Sequence, residues 1–141
     1  MEESANTNRV QCVVVTPERA VLHETVDFVA LPMYDGELGV LPGRAPLIGR
    51  LGMGELRLQQ HGTARRFFVD GGFAQVRADT VTVLTNKAVP AGEIDAAVAN
   101  QQLAAAQGSM PKTPDEQQAR ERAERRARAM IRVAEKVRDQ V

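Results

Sequence analysis

The chain has 141 residues, enough for one ordinary domain or a small domain with an appendage, and its eighteen basic and eighteen acidic side chains cancel. No global field therefore draws it to nucleic acid or to an anionic membrane, so partners must be recognised locally. The single Cys12 excludes an internal disulfide, and its apolar setting (Val10-Gln-Cys-Val-Val-Val15) points to a buried structural thiol in a reducing compartment.

Residues 1–8 are acidic and polar and read as a flexible tail, not a signal peptide. No apolar run approaches the roughly eighteen residues that a membrane span needs. From Arg9 to Pro90 the chain reads as short strands. Glu55-Leu-Arg-Leu-Gln59 alternates cleanly, and Thr80-Val-Thr-Val-Leu-Thr85 has the β-branched content that strands favour. Turn signals recur at short intervals, as at Asp35-Gly36, His61-Gly62, Asp70-Gly-Gly72 and Ala78-Asp79, which predicts a sandwich or barrel of roughly eight to ten strands. Val13-Val-Val15 and Arg65-Arg-Phe-Phe-Val69 put apolar residues at consecutive positions, so those strands are apolar on both faces. One face fills the core; the other needs cover from the rest of the chain or from a partner.

The stretch Tyr34 to Pro46 holds three glycines and two prolines in thirteen residues but no cysteine, histidine, serine or lysine. It reads as a shaped contact surface, its form set by glycine and proline, and not as a reactive loop.

Residues 91–141 change period to that of an antiparallel helical hairpin, with helices over about 93–107 and 114–139. Ile94, Ala97, Val98, Ala104 and Ala105 are the expected apolar face of the first helix. Thr113 is the expected N-cap of the second, with Pro114 at its first position and Asp115 and Glu116 in its first turn. There Ala123, Ala127, Met130, Ala134, Val137 and Val141 form a stripe about 80° wide at roughly 100° per residue. Alanine dominates it, and each buried alanine gains only about 0.8 kcal/mol, so the hairpin is expected to dock weakly and to detach. Between Arg120 and Arg138 lie eight cations and three acids, an excess of five. This suits either a solvated face laced by Glu121–Arg125, Glu124–Arg128 and Glu135–Arg138 pairs, or an acidic partner.

Chemistry is poorly supplied. Serines occur only at positions 4 and 109, and His23 and His61 lack partners at metal-ligand spacing. Asp35, Glu37, Asp70 and Asp79 sit at apparent turns. Gly39-Val-Leu-Pro-Gly43 and Gly52-Met-Gly54 each miss a phosphate-loop pattern. The sequence therefore points to a non-catalytic chain without cofactor or metal.

The loop, Phe68-Val-Asp-Gly-Gly-Phe73, Val81-Thr-Val-Leu-Thr85 and the trailing hairpin together resemble the epsilon subunit of F-type ATP synthases (bacterial and chloroplast form), from Arg9 onward. The resemblance implies a mainly β fold with α: an N-terminal flattened ten-stranded β-sandwich over 9–90, followed by a two-helix regulatory hairpin over 91–141. It implies a rotor subunit of the central stalk that binds the gamma subunit and the c-ring, coupling them in ATP synthesis. Tyr34, Glu37, Leu38, Val40, Leu41 and Arg44 then become the contact residues, with Arg44 standing where histidine is frequent. Extended, the hairpin would inhibit ATP hydrolysis, bringing Arg122, Arg125, Arg126, Arg128 and Arg132 near an acidic segment of the beta subunits. The family's ATP signature corresponds to Ile94-Asp-Ala-Ala-Val-Ala99, where Asp95 is kept but Val98 replaces arginine, so no useful ATP binding is expected. The chain would lie on the cytoplasmic face of the bacterial inner membrane, held there only through the complex. An alternative reading, a nucleic-acid-binding module built on the arginine-rich helix, has little aromatic support, because no aromatic residue interleaves with those arginines in the sequence.

Overall fold

The computed structural model describes residues 9–139, with side chains through Lys136. The tail at 1–8 and the side chains of Val137, Arg138 and Val141 lie outside the described part.

Two long strands organise the fold. β5 (Leu47–Gln60) and β6 (Thr63–Arg77) pair antiparallel over their length and are joined by His61 and Gly62, with φ of 54° and 78°. Two successive positive φ values make the turn whose twist matches that of the flanking strands. The side chains facing the core change parity midway: Leu51 gives way to Leu56 and Leu58 in β5, and Phe67 and Val69 give way to Ala74 and Val76 in β6. Strict alternation forbids such a change without a break. It falls at Gly52 and Gly54 in one strand and at Gly71 and Gly72 in the other, where the paired ribbon bends over itself. Gly72 (φ 105°) is irreplaceable there, since a Cβ would overlap the Leu84 carbonyl.

The remaining strands are β1 (Val10–Val15), β2 (Ala20–Val26), β3 (Phe28–Met33), β4 (Gly36–Val40), β7 (Thr80–Leu84) and β8 (Ala88–Pro90). The strand order is β2-β1-β7-β6-β5-β3-β4, with β8 on β6; β1 and β7 run parallel and the other pairs antiparallel. These eight strands become the expected ten when each half of β5 and β6 is counted separately. The alternation read at Leu56 and Leu58, and at Val81 and Val83, is realised: all four are buried in the sandwich core with Val10, Cys12, Val14 and Val29.

A 3-10 turn, Ala91–Glu93, leads to α1 (Ala96–Gly108) and α2 (Pro114–Asp139). Asp95 caps α1, its Oδ1 accepting from the Ala97 and Val98 amides at 3.0 and 3.3 Å. Thr113 Oγ1 accepts from the Glu116 amide at 3.1 Å, and the Glu116 carboxylate reaches back to the Lys112 amide at 2.7 Å. The start of α2 is thus as read.

The helix faces are as read only in part. α1 buries Ala99 and Ala106, with Leu103 half-buried between them, while Ala97, Val98, Ala104 and Ala105 are exposed. In a helix of alanines and glutamines almost any face looks alike, so its neighbour chooses. α2 turns Ala129 and Val133 onto the sandwich, where they pack with Phe68, Ala91, Met53, Ile94 and Met130. Ala123, Ala127 and Met130 line the groove beside Ala105 and Ala106 of α1. The thin stripe read in the sequence is therefore the side that meets α1; the side that meets the sandwich, Ala129 and Val133, was not part of it. The Glu121–Arg125 pair does not form; Gln117 donates to Glu121 at 3.0 Å, and Glu124 accepts Arg120 at 3.5 Å and Arg128 at 3.9 Å.

Candidate functional site

Three features could meet a partner, and each comes from a different part of the fold. The first is the β3–β4 hairpin with the loop that follows it. Tyr34 and Asp35 form its tip, and Tyr34 is 68% exposed while stacking on Arg50 at 4.4 Å. Glu37 lies in β4 and not in a turn, pairing with Arg57 at 3.3 Å. Leu41 and Arg44 are exposed, and the Gly43 amide donates to Asp79 Oδ1 at 2.7 Å, tying the loop to the β6–β7 turn. Leu38 is half-buried against the core. Val40 corrects the reading: it is fully buried in the sandwich core and cannot reach a partner. It opposes Val29 in the β3–β4 pair, and this register turns it inward.

The second feature is a bare row across the sheet that the sequence reading did not single out. Cross-strand register aligns Arg50 with Phe73, Phe73 with Leu84, and Leu84 with Val15. Phe73 is 56% and Leu84 52% exposed. The only trace of this row in the sequence was the doubly apolar Val13-Val-Val15. The cover foreseen for such strands is only partly supplied: α2 covers Phe68, and nothing in the chain's described residues covers Phe73 and Leu84.

The third feature is α2. Arg122, Arg125, Arg128 and Arg132 face a cleft of about 1280 Å³ whose other wall is the Phe73–Leu84 row. Tyr34 and Phe73 line the same cleft, so aromatic and guanidinium groups far apart in sequence meet in space. Arg126 points the other way: its Nε donates to Asp70 Oδ2 at 2.9 Å. In this docked placement Arg126 is therefore occupied internally. Asp70 is a nearly buried residue of β6, not a turn acid. A second tether joins Lys136 to Glu55 at 2.9 Å, and Glu55 also accepts from Arg66 at 2.6 Å. Asp70 differs, since Arg126 is its only cationic partner among the described residues.

The other titratable candidates are structural. His23 bonds Gln11 at 3.1 Å, and His61 lies in a turn. Burial, with a smaller contribution from Glu24 that Arg65 opposes, pushes the Cys12 thiol up to about 12. At the start of α1, Asp95 is engaged by its cap and Val98 offers an exposed apolar side chain where a phosphate would need a cation.

A bent sandwich with a bare apolar row beside an arginine-lined cleft, and a helical hairpin docked on it, is the architecture of an assembly subunit. The chain belongs to the ATP synthase epsilon-chain family. Residues 9–91 match the family described as ATP synthase, Delta/Epsilon chain, beta-sandwich domain. It is 54% identical over 125 residues to the ATP synthase epsilon chain of Rhodopirellula baltica, covering 89% of this chain and 98% of that one. The corresponding protein of Syntrophobacter fumaroxidans is 40% identical over 130 residues, covering 91% and 97%. A chain of the Euglena gracilis mitochondrial ATP synthase (OSCP/F1/c-ring) shares the fold, with a TM-score of 0.70 at 24% identity over 94% of this chain and 81% of that one. A chain of the Tetrahymena thermophila mitochondrial ATP synthase central stalk and c-ring does so at 0.68 and 15%, over 89% and 96%. Among the described residues no helix is long and apolar enough to cross a membrane.

Proposed function

We propose that the chain is a central-stalk subunit that couples the gamma subunit to the c-ring, and that its hairpin restrains ATP hydrolysis when it leaves the sandwich. Family membership supports the first part. Tyr34, Glu37, Leu38, Leu41 and Arg44 meet the c-ring in this reading, and the Phe73–Leu84 row seats gamma. Val40 drops out as a contact and acts by holding β4 in place.

The observation that carries the regulatory part is the seam beneath α2. It consists of the buried Phe68, Ala91, Ala129 and Val133, the partly buried Met53, Ile94 and Met130, and two ion pairs. Only one large side chain, Phe68, is fully buried in this interface, which suits two placements that differ by the few kcal/mol a switch requires. Once released, α2 carries its arginines toward an acidic segment of the beta subunits, with Arg126 freed to join the others. The complex works at the cytoplasmic face of the membrane, and the chain reaches the membrane only through it. ATP does not bind usefully to the α1 start.

Two measurements test this. The chain should co-purify with gamma at near one-to-one stoichiometry, and failure under native conditions would remove the coupling role. Deleting Ala119 to Val141 should raise ATPase activity of the assembled head without preventing assembly; unchanged activity would leave coupling but refute inhibition.

A further inference from the structure

We propose that the corner between the Phe73–Leu84 row and the arginine face of docked α2 is the seat of an acidic amphipathic helix from a partner protein, which bridges sandwich and hairpin and so holds the hairpin down. The inference rests on the reading that the chain binds gamma and adds how the hairpin takes part in that contact.

Charge distribution is the first ground. The protein is neutral as a whole, yet no carboxylate lines this cleft among the described residues, whereas five arginines do. Arg122, Arg125 and Arg132 form no ion pair among the described residues, and Arg128 has only its 3.9 Å contact with Glu124. Arg65, Arg66 and Arg126 meet carboxylates elsewhere in the fold, whereas this cleft gathers five arginines and, among the described residues, no carboxylate. Geometry is the second ground. The four arginines of α2 recur at intervals of three, three and four residues, which keeps them on one helix face over about 15 Å at 1.5 Å per residue. Spacing on that scale exceeds what a single small anion can bridge, but it matches carboxylates repeating along a helix. The floor is the third ground. Phe73, Leu84 and Tyr34 present apolar and aromatic surface beside the cations, and an amphipathic helix supplies both kinds of complement at once.

The consequence is a linkage. Half of this seat belongs to the sandwich and half to the hairpin, so an occupant binds the docked form more tightly than the extended form. By reciprocity it shifts the hairpin toward docking by the same factor.

The experiment uses the full-length chain and purified gamma subunit. A variant with Arg122, Arg125, Arg128 and Arg132 all changed to Gln is compared with one in which all four become Lys. These side chains point into the cleft and away from the seam, so both variants keep the docked fold. Thiol reactivity of an Ala129→Cys reporter, on the face of α2 buried against the sandwich, verifies this. The Gln variant should bind gamma roughly tenfold or more weakly and with a flatter salt dependence, whereas the Lys variant should retain most of the affinity. Saturating gamma should slow labelling of the Ala129→Cys reporter in the wild-type background. If wild type binds gamma and the Gln variant binds equally well, or gamma leaves the reporter rate unchanged, the seat is refuted while the gamma-binding reading stands. If wild type does not bind gamma, both fall. Tighter binding of a single-stranded oligonucleotide than of gamma at physiological salt would also overturn a protein occupant.

Discussion

The Asp70–Arg126 pair should control how often the hairpin lifts. The perturbation is Asp70→Asn, which keeps the shape and one acceptor but removes the charge. The two side chains are 12% and 33% exposed, and their contact distance is 2.9 Å. Two unit charges about 4 Å apart attract by about 4 kcal/mol at an effective dielectric near 20, but desolvation and side-chain ordering offset much of that. For a partly screened, charge-assisted bond the net loss should be about 1–2 kcal/mol, or roughly a 5- to 30-fold rise in the open population. Glu55 should matter less to Lys136, because Arg66 remains its partner in the sandwich when α2 departs. The assay is native-state labelling of Ala129→Cys, a position 1% exposed in the docked hairpin. Cys12, deep in the sandwich core, reacts only on global unfolding and serves as an internal control. Asp70→Asn and Arg126→Gln should each accelerate labelling at position 129, and the double variant should show little further effect. Rates within twofold of the parent, or fully additive effects, would refute the assignment of this pair as the latch.

Three further outcomes follow from the structure. Phe68→Ala should cost about 3 kcal/mol or more and open the hairpin on the order of a hundredfold more often, because Phe68 is fully buried beneath α2; Cys12 should stay protected, and its simultaneous exposure would mean that seam and sandwich unfold together. Gly72→Ala should destabilise the sandwich by about 3 kcal/mol or more, since the backbone has φ of 105° and the new Cβ overlaps the Leu84 carbonyl; an unchanged urea midpoint would contradict the bend described here. Stability should decline as pH rises above 9, because the unfolded Cys12 thiol ionises near 9.0 while the buried one holds its proton to about 12. The slope from this group should approach about 1.4 kcal/mol per pH unit and vanish in Cys12→Ala; the same slope in that variant would place the effect elsewhere.

Much of this molecule was legible residue by residue. Alternation at Leu56 and Leu58 and at Val81 and Val83 needed no partner strand to be recognised, because the two-residue period of a strand is a local property. The turns at His61-Gly62 and Ala78-Asp79 and the Thr113-Pro114 helix start were equally local, set by backbone preference and capping. So was the surplus of arginine on α2.

Long-range pairing decided the rest. Val40 looked like a loop contact until its register against Val29 turned it inward. Asp70 looked like a turn acid until the glycine bend left it in a strand beneath α2, where Arg126 meets it across 56 residues of sequence. The face that α1 buries, and the side of α2 that meets the sandwich, could not be read from runs of alanine, which offer too little contrast in transfer free energy to choose one. The corner uniting Phe73, Leu84 and Tyr34 with the arginine row exists only because sheet register and hairpin docking bring together surfaces that no local pattern connects.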